Sequence, residues 1–274
     1  MKTNPISNGM KKQALIVLLA FLLLWGVSFI YDSYRPFSPT ELKEKPLETF
    51  TVSYATTTLS EKNPEEKYSI NFEYPIFSVK EDNRYAGYIN GLVEKKVKDA
   101  KESFLDNVEE INNYTSNVSF EGGEHTLLGN TEVILWEEPL ITSLLFKEEF
   151  NMIGAAHPGH TFESLIYDLK DQKILMLEDL FSDPMAALSY ISPYAKKQLE
   201  EKLKQFDAEG SVIEAGLIPE EENFKTFTIS EKGMRIVFQE YQVAAYAAGV
   251  QEVLIPWDEI IVFLKNDIRT RLGL

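Results

Sequence analysis

Two of the three histidines in this chain stand in Gly154-Ala155-Ala156-His157-Pro158-Gly159-His160-Thr161, with Glu163 three residues on. Histidines this close raise metal chemistry first. A zinc site needs three or four donors converging at about 2.0–2.3 Å. Glu163 is the available third ligand, but the His-Glu-x-x-His spacing that stacks two histidines on one helix face is absent. A Pro-Gly turn joining two strands accounts for the same residues on backbone grounds alone. The stretch is therefore read as a strand-connecting turn with a recognition role, and no metal is assigned.

Other chemistries find less support. There is no cysteine, which excludes disulfides, thiolate metal sites and cysteine nucleophiles. No Gly-x-Ser-x-Gly and no phosphate-binding glycine loop occur. Among 43 acids a carboxylate pair for glycoside hydrolysis is open, yet nothing singles one out. No catalytic residue and no cofactor are assigned. A second stretch, "FQEYQVAAYAAGVQEVLIPWDEI" from Phe238, sets Tyr241 and Tyr246 around small residues that permit close backbone approach. Its bland reading is two core strands and a corner. Its functional reading is a binding surface lined by amphipathic aromatics. The candidate ligand-binding residues are His157, His160, Tyr241 and Tyr246.

The elements that position them follow from pattern. Lys2, Lys11 and Lys12 precede an apolar run from Ala14 to Ile30. It is just long enough to span a bilayer, and its basic flank keeps the N-terminus cytoplasmic. A cleaved signal peptide is the alternative, although Gly26-Val27-Ser28 makes a poor cleavage site. The expected organisation is a cytoplasmic tail (1–12), a single-pass membrane anchor (13–31) and a Pro-bearing stalk (32–47). An N-terminal α+β domain (48–150) and a C-terminal α+β domain (151–274) follow, both outside the cytoplasm. Beyond residue 30 the 43 acids face 24 Lys and Arg, about −19. Such a surface repels nucleic acid and attracts cationic partners.

Within the body, strands are expected from Glu48 and over Lys67–Phe77, then an amphipathic helix from Arg84 to about Asn112. Strands over 130–138 and 140–151 follow, with His125 left in a loop. A strand and a short return strand flank Asp171-Gln172. Asp183 caps a helix begun by Pro184 and running to about Phe206. A hairpin turns at Glu231-Lys232-Gly233, and one last helix starts after Pro256. This order is α+β, two small α/β halves with antiparallel sheets.

"GAAHPGHTFESLIYDLKDQKILMLEDLF" and "FQEYQVAAYAAGVQEVLIPWDEI" together resemble the RsiV-type extracytoplasmic family. The resemblance rests on Gly154, Ala156, His157, Pro158, Tyr167, Asp168, Leu169, Leu177, Asp179, Leu180 and Phe181. It continues through Val243, Ala244, Tyr246, Ala247, Ala248, Gly249, Ile255 and Pro256. Ala155 and Ala245 depart from the family's Gly and Pro. The resemblance implies the paired domains of unknown function numbered 4163 and 3298. It also implies an envelope role, either lysozyme binding that controls proteolysis of an anti-sigma factor or service beside a peptidoglycan deacetylase. The short tail leaves no room for a sigma-binding domain, and no catalytic domain is expected after Leu274. Only the binding module carries over, so the chain is not expected to be an enzyme. Its expected partners are a cationic protein such as lysozyme or a peptidoglycan component. A cell-wall hydrolase or accessory domain with a carboxylate site is the alternative.

Overall fold

The computed structural model describes residues 51–115, 123–206 and 210–274. The expected tail and anchor, and the stalk up to Leu47, lie outside them. Among the described residues no helix is long and apolar enough to cross a membrane.

Six strands form the larger sheet: β1 (Val52–Asn63), β2 (Tyr68–Val79), β3 (His125–Trp136), β4 (Ile141–Asn151), β5 (Gly159–Asp168) and β6 (Lys173–Ile174), side by side in chain order. Every neighbouring pair is antiparallel except β2 and β3. A 32-residue helix, α1 (Arg84–Thr115), crosses between those two. Parallel neighbours need such a crossover, so the sheet is mixed and not purely antiparallel as expected. The turns at Lys67, Leu140 and Gln172 each place a non-glycine residue at positive φ.

The parallel pairing also corrects the place of His125. It opens β3 opposite Tyr68, donating its backbone N–H to the Lys67 carbonyl at 2.8 Å. Local sequence pattern misses this because the partner strand lies beyond a whole helix. The ring is fully buried. Nδ1 accepts from the Ile153 N–H at 3.2 Å, and Nε2 faces Asn112 Oδ1 at 3.4 Å. Burial, helped by the Lys67 charge, pushes the imidazole below its ordinary value. The folded state therefore holds fewer protons than the unfolded chain. The associated stability is present above about pH 6.5, the ordinary histidine value, and is lost as the pH falls below it. Denaturant titrations at pH 8 and pH 5 should show lower stability at the acid end, with a smaller difference in His125→Gln.

Alternation along the strands buries both faces of this sheet. In β4, Leu144 and Phe146 join Leu165 and Tyr167 of β5 beneath α1, while Ile141 and Ile166 point the other way. Helix α1 presents Ala86, Ile89, Val93, Val97, Ala100, Phe104 and Val108 as one buried stripe. These recur at three- and four-residue steps, as one helix face requires. Where β3 leaves β2 beyond Glu73, Asn90 takes up the open strand edge. Its amide accepts from the Phe77 N–H at 2.8 Å and donates to the Phe77 carbonyl at 2.9 Å.

The opposite face carries the second layer, a three-stranded antiparallel sheet of β7 (Phe227–Ser230), β8 (Gly233–Phe238) and β9 (Gln251–Ile255). Ahead of it come α2 (Leu177–Leu180), α3 (Pro184–Leu203), α4 (Gly210–Gly216) and α5 (Glu221–Phe224). Asp183 caps α3 by accepting from the Ala186 N–H, with Pro184 at the first helical position as its sequence requires. Side chains stitch the layers to backbone. The Ser143 hydroxyl accepts from the Ile229 N–H and donates to the Ile229 carbonyl, both at 2.9 Å.

The last expected helix is broken into α6 (Trp257–Ile260), a 3-10 turn (Ile261–Phe263) and α7 (Asn266–Leu272). The cause is a backbone graft. Ser182 donates to the Phe263 carbonyl, and Lys265 donates to the Leu180 carbonyl, holding Leu264 extended against Phe181. The boundary expected between residues 150 and 151 falls inside β4, and residues 141–150 before it pair with β5 after it, from Ile141 facing Asp168 to Phe150 facing Gly159. The described residues belong to one compact unit spanning Thr49–Leu274.

Candidate functional site

Two connections build the site, residues 152–158 between β4 and β5 and residues 239–250 between β8 and β9. The first leaves β4 through a turn in which the Ala155 N–H donates to the Met152 carbonyl at 2.9 Å, and Gly154 takes a positive φ of 86°. Gly159 restarts the sheet where a Cβ would lie 2.4 Å from the Phe150 ring. That clash explains glycine between the two histidines better than turn propensity does.

The second connection is docked by two glutamines. The Gln239 amide accepts from the Phe162 N–H at 3.1 Å and donates to the Phe162 carbonyl at 2.6 Å. It thus occupies the edge of β5 that β6 is too short to cover. Gln242 donates to the carbonyls of Gly216 and Asn223, at 3.1 and 2.9 Å, and accepts from the Gln239 N–H. Between these anchors Tyr241 sits at φ 64°, a left-handed conformation costing a non-glycine residue about 1–2 kcal/mol. Backbone strain of this kind persists where surrounding contacts over-determine it, as at ligand clamps.

All four residues singled out in the sequence meet here. The His157 ring stacks on Tyr246, centroids 3.9 Å apart and planes 28° from parallel. The Tyr241 hydroxyl lies 3.2 Å from His157 Nε2, across 84 residues of chain. The Tyr246 hydroxyl donates to the Pro158 carbonyl at 3.1 Å. Burial, with the Glu240, Tyr241 and Glu149 groups, pushes that hydroxyl up, so it stays a donor. His160 and Tyr241 flank Tyr246 at 6.3 and 5.9 Å. His157 and Tyr241 are exposed, Tyr241 to 55%.

Two acids complete the cluster, and sequence reading missed both. Glu240 Oε1 lies 2.8 Å from His160 Nδ1, and Glu149 Oε2 lies 3.2 Å from Nε2. Both ring nitrogens thus face carboxylate oxygens. Glu240 is largely shielded, at 10% side-chain exposure, whereas Glu149 stands 43% exposed. Glu149 is the direct cross-strand partner of His160. The β4–β5 register would have revealed it; the adjacency of Glu240 to Tyr241 was the signal for the other.

Glu163, weighed as a third metal ligand, is not in the cluster. Three residues from His160 on one strand, it projects from the opposite face and pairs with Lys96 of α1. Glu148 lies beside it, accepting from the Thr161 hydroxyl at 3.0 Å, with its carboxyl pushed up by burial. Among the described residues no group of three or more metal-ligating side chains is arranged to hold an ion.

A mixed sheet clasped between one long helix and a smaller antiparallel sheet, with an aromatic and carboxylate cluster on connecting loops, defines an α+β loop-site domain. Residues 178–258, which contain Glu240, Tyr241 and Tyr246, match the family model "Protein of unknown function (DUF3298)". A solved member of the DUF3298 family from Bacteroides fragilis shares the fold, with a TM-score of 0.53 at 18% identity over 81% of this chain and 97% of that one. The peptidoglycan-N-acetylmuramic acid deacetylase PdaC of Bacillus subtilis is 33% identical over 107 residues, 39% of this chain. The chain spans 23% of the length of that relative.

Proposed function

We propose that this chain is a membrane-anchored binding module of the bacterial cell envelope, tethered by the apolar segment 14–30. Its acidic body stands outside the cytoplasm and recognises a cationic protein such as lysozyme, without turning over a substrate. One observation carries the reading: residues about 80 positions apart converge on an exposed aromatic cluster edged by two carboxylates. A strained tyrosine and dedicated glutamine anchors hold the cluster in place. The net charge of −16 adds long-range attraction for a basic partner. The resemblance to the RsiV-type family supports the same ligand class.

The name of the PdaC relative favours a second reading, a peptidoglycan hydrolase or accessory domain. Its chemistry would fall to Glu148, whose carboxyl burial pushes up, beside Glu163. One preparation separates the two. Immobilised full-length chain should retain lysozyme at low salt, weakly at moderate salt, and should release nothing from purified peptidoglycan. Absence of retention at both salts refutes the binding reading. Peptidoglycan turnover that disappears in Glu148→Gln establishes the other.

A further inference from the structure

We infer that the exposed rings of His157 and Tyr241, backed by Tyr246, form with Glu149 a receptor for an arginine side chain projecting from the partner. The inference rests on the binding reading above and names the group that the site takes.

The cluster's exposed residues are two rings, His157 and Tyr241, and the carboxylate-bearing Glu149. Aromatic faces carry negative quadrupole density and attract cations within about 6 Å of the ring centre. His160 lies between Glu240 and Glu149, so one imidazole is set against two carboxylates. Glu240 is spent on His160 in a shielded position. Glu149 gives one oxygen to His160 and keeps the other for a ligand, at 43% side-chain exposure. The cluster thus has an acceptor without a full counter-charge, beside the exposed rings of His157 and Tyr241.

This chemistry selects among ligands. A muropeptide brings carboxylates of its own, which Glu149 and the chain's net charge of −16 oppose. A neutral sugar needs donors as well as acceptors, and the Tyr246 hydroxyl is already committed to the Pro158 carbonyl. A cation satisfies both the rings and Glu149. Between the two cationic side chains, the planar guanidinium stacks on a ring while its edge N–H groups reach a carboxylate. The compact, strongly hydrated ammonium of lysine cannot do both. The near-parallel planes of His157, Tyr246 and Tyr241, 28–34° apart, present flat surfaces suited to such stacking.

Fluorescence anisotropy with labelled hexa-arginine and hexa-lysine peptides, equal in charge, tests this on the full-length chain in mild detergent. The arginine peptide should bind about tenfold more tightly than the lysine peptide. Tyr241→Ala and Glu149→Gln should each remove most of that difference while leaving the thermal midpoint unchanged, since both side chains are substantially exposed. Equal affinities for the two peptides, or a preference that survives both substitutions, overturn the inference. Lysozyme retention that survives both substitutions overturns it too while leaving the binding reading intact. Loss of lysozyme retention in Glu149→Gln, with the arginine preference, upholds both.

Discussion

Replacing Asp168 by alanine is expected to lower the unfolding free energy by about 3 kcal/mol, the lower end of the cost of breaking a buried ion pair. Asp168 ends β5 and is 2% exposed. One carboxylate oxygen accepts from the Lys170 and Asp171 N–H groups, both at 2.9 Å, and so shapes the turn into β6. The same carboxylate receives Arg271 of α7 in two bonds, Nη2 at 2.8 Å and Nε at 3.1 Å. The alanine variant leaves two turn donors and a guanidinium without their acceptor. Arg271 keeps some access to water, at 20% side-chain exposure, which holds the expected cost at the low end. Asp168→Asn retains a turn acceptor but not the charge, and its loss should be smaller. Urea unfolding of both variants checks the order; an alanine variant within about 1 kcal/mol of the parent would show that α7 is not held through this pair.

Gly216→Ala should cost about 2–3 kcal/mol and, more tellingly, weaken ligand binding from a position that touches no ligand. Gly216 ends α4, and a Cβ there would lie 2.0 Å from the Gln242 carbonyl oxygen and 2.9 Å from a Val243 methyl. The first obstacle is backbone, so no rotamer change relieves it. Relief must come from moving residues 242–243, the segment between Tyr241 and Tyr246. Gln242 also donates to the Gly216 carbonyl, so the displacement strains the anchor itself. The expected outcome is a folded protein with reduced lysozyme retention and altered tyrosine signals at Tyr241 and Tyr246. Unchanged retention with the expected loss of stability would mean that the loop tolerates displacement.

The two predictions separate the parts of this molecule by how they are encoded. Helix α3 was legible in Asp183-Pro184, because capping and the fixed φ of proline are local effects. The β7–β8 hairpin was legible in Glu231-Lys232-Gly233 for the same reason. The apolar residues of α1 are not all in its buried stripe. Val97, Phe104 and Val108 are buried, whereas Tyr88, Leu92, Leu105 and Ile111 flank the contact. Their period identifies a helix, but which neighbour covers which flank depends on the sheet beneath. The final helix failed as a single element because residues 180–182 claim the backbone at 263–265, a contact across more than 80 positions.

The candidate site divides along the same line. Residue type and neighbourhood alone singled out His157, His160, Tyr241 and Tyr246, since small residues beside aromatics and a Pro-Gly turn carry a local signature. The convergence of those two stretches, and the recruitment of Glu149 and Glu240, belong to the tertiary structure. Strand register sets Glu149 opposite His160 and turns Glu163 to the other face, and a register is a property of two strands together. Local backbone preferences and side-chain periodicity act within a few residues, so composition and order determined the acidic charge of the chain and those elements whose signals are local, not the start of β3 or the break after Ile260. Which ends of those elements meet was decided only by packing the small sheet onto the large one.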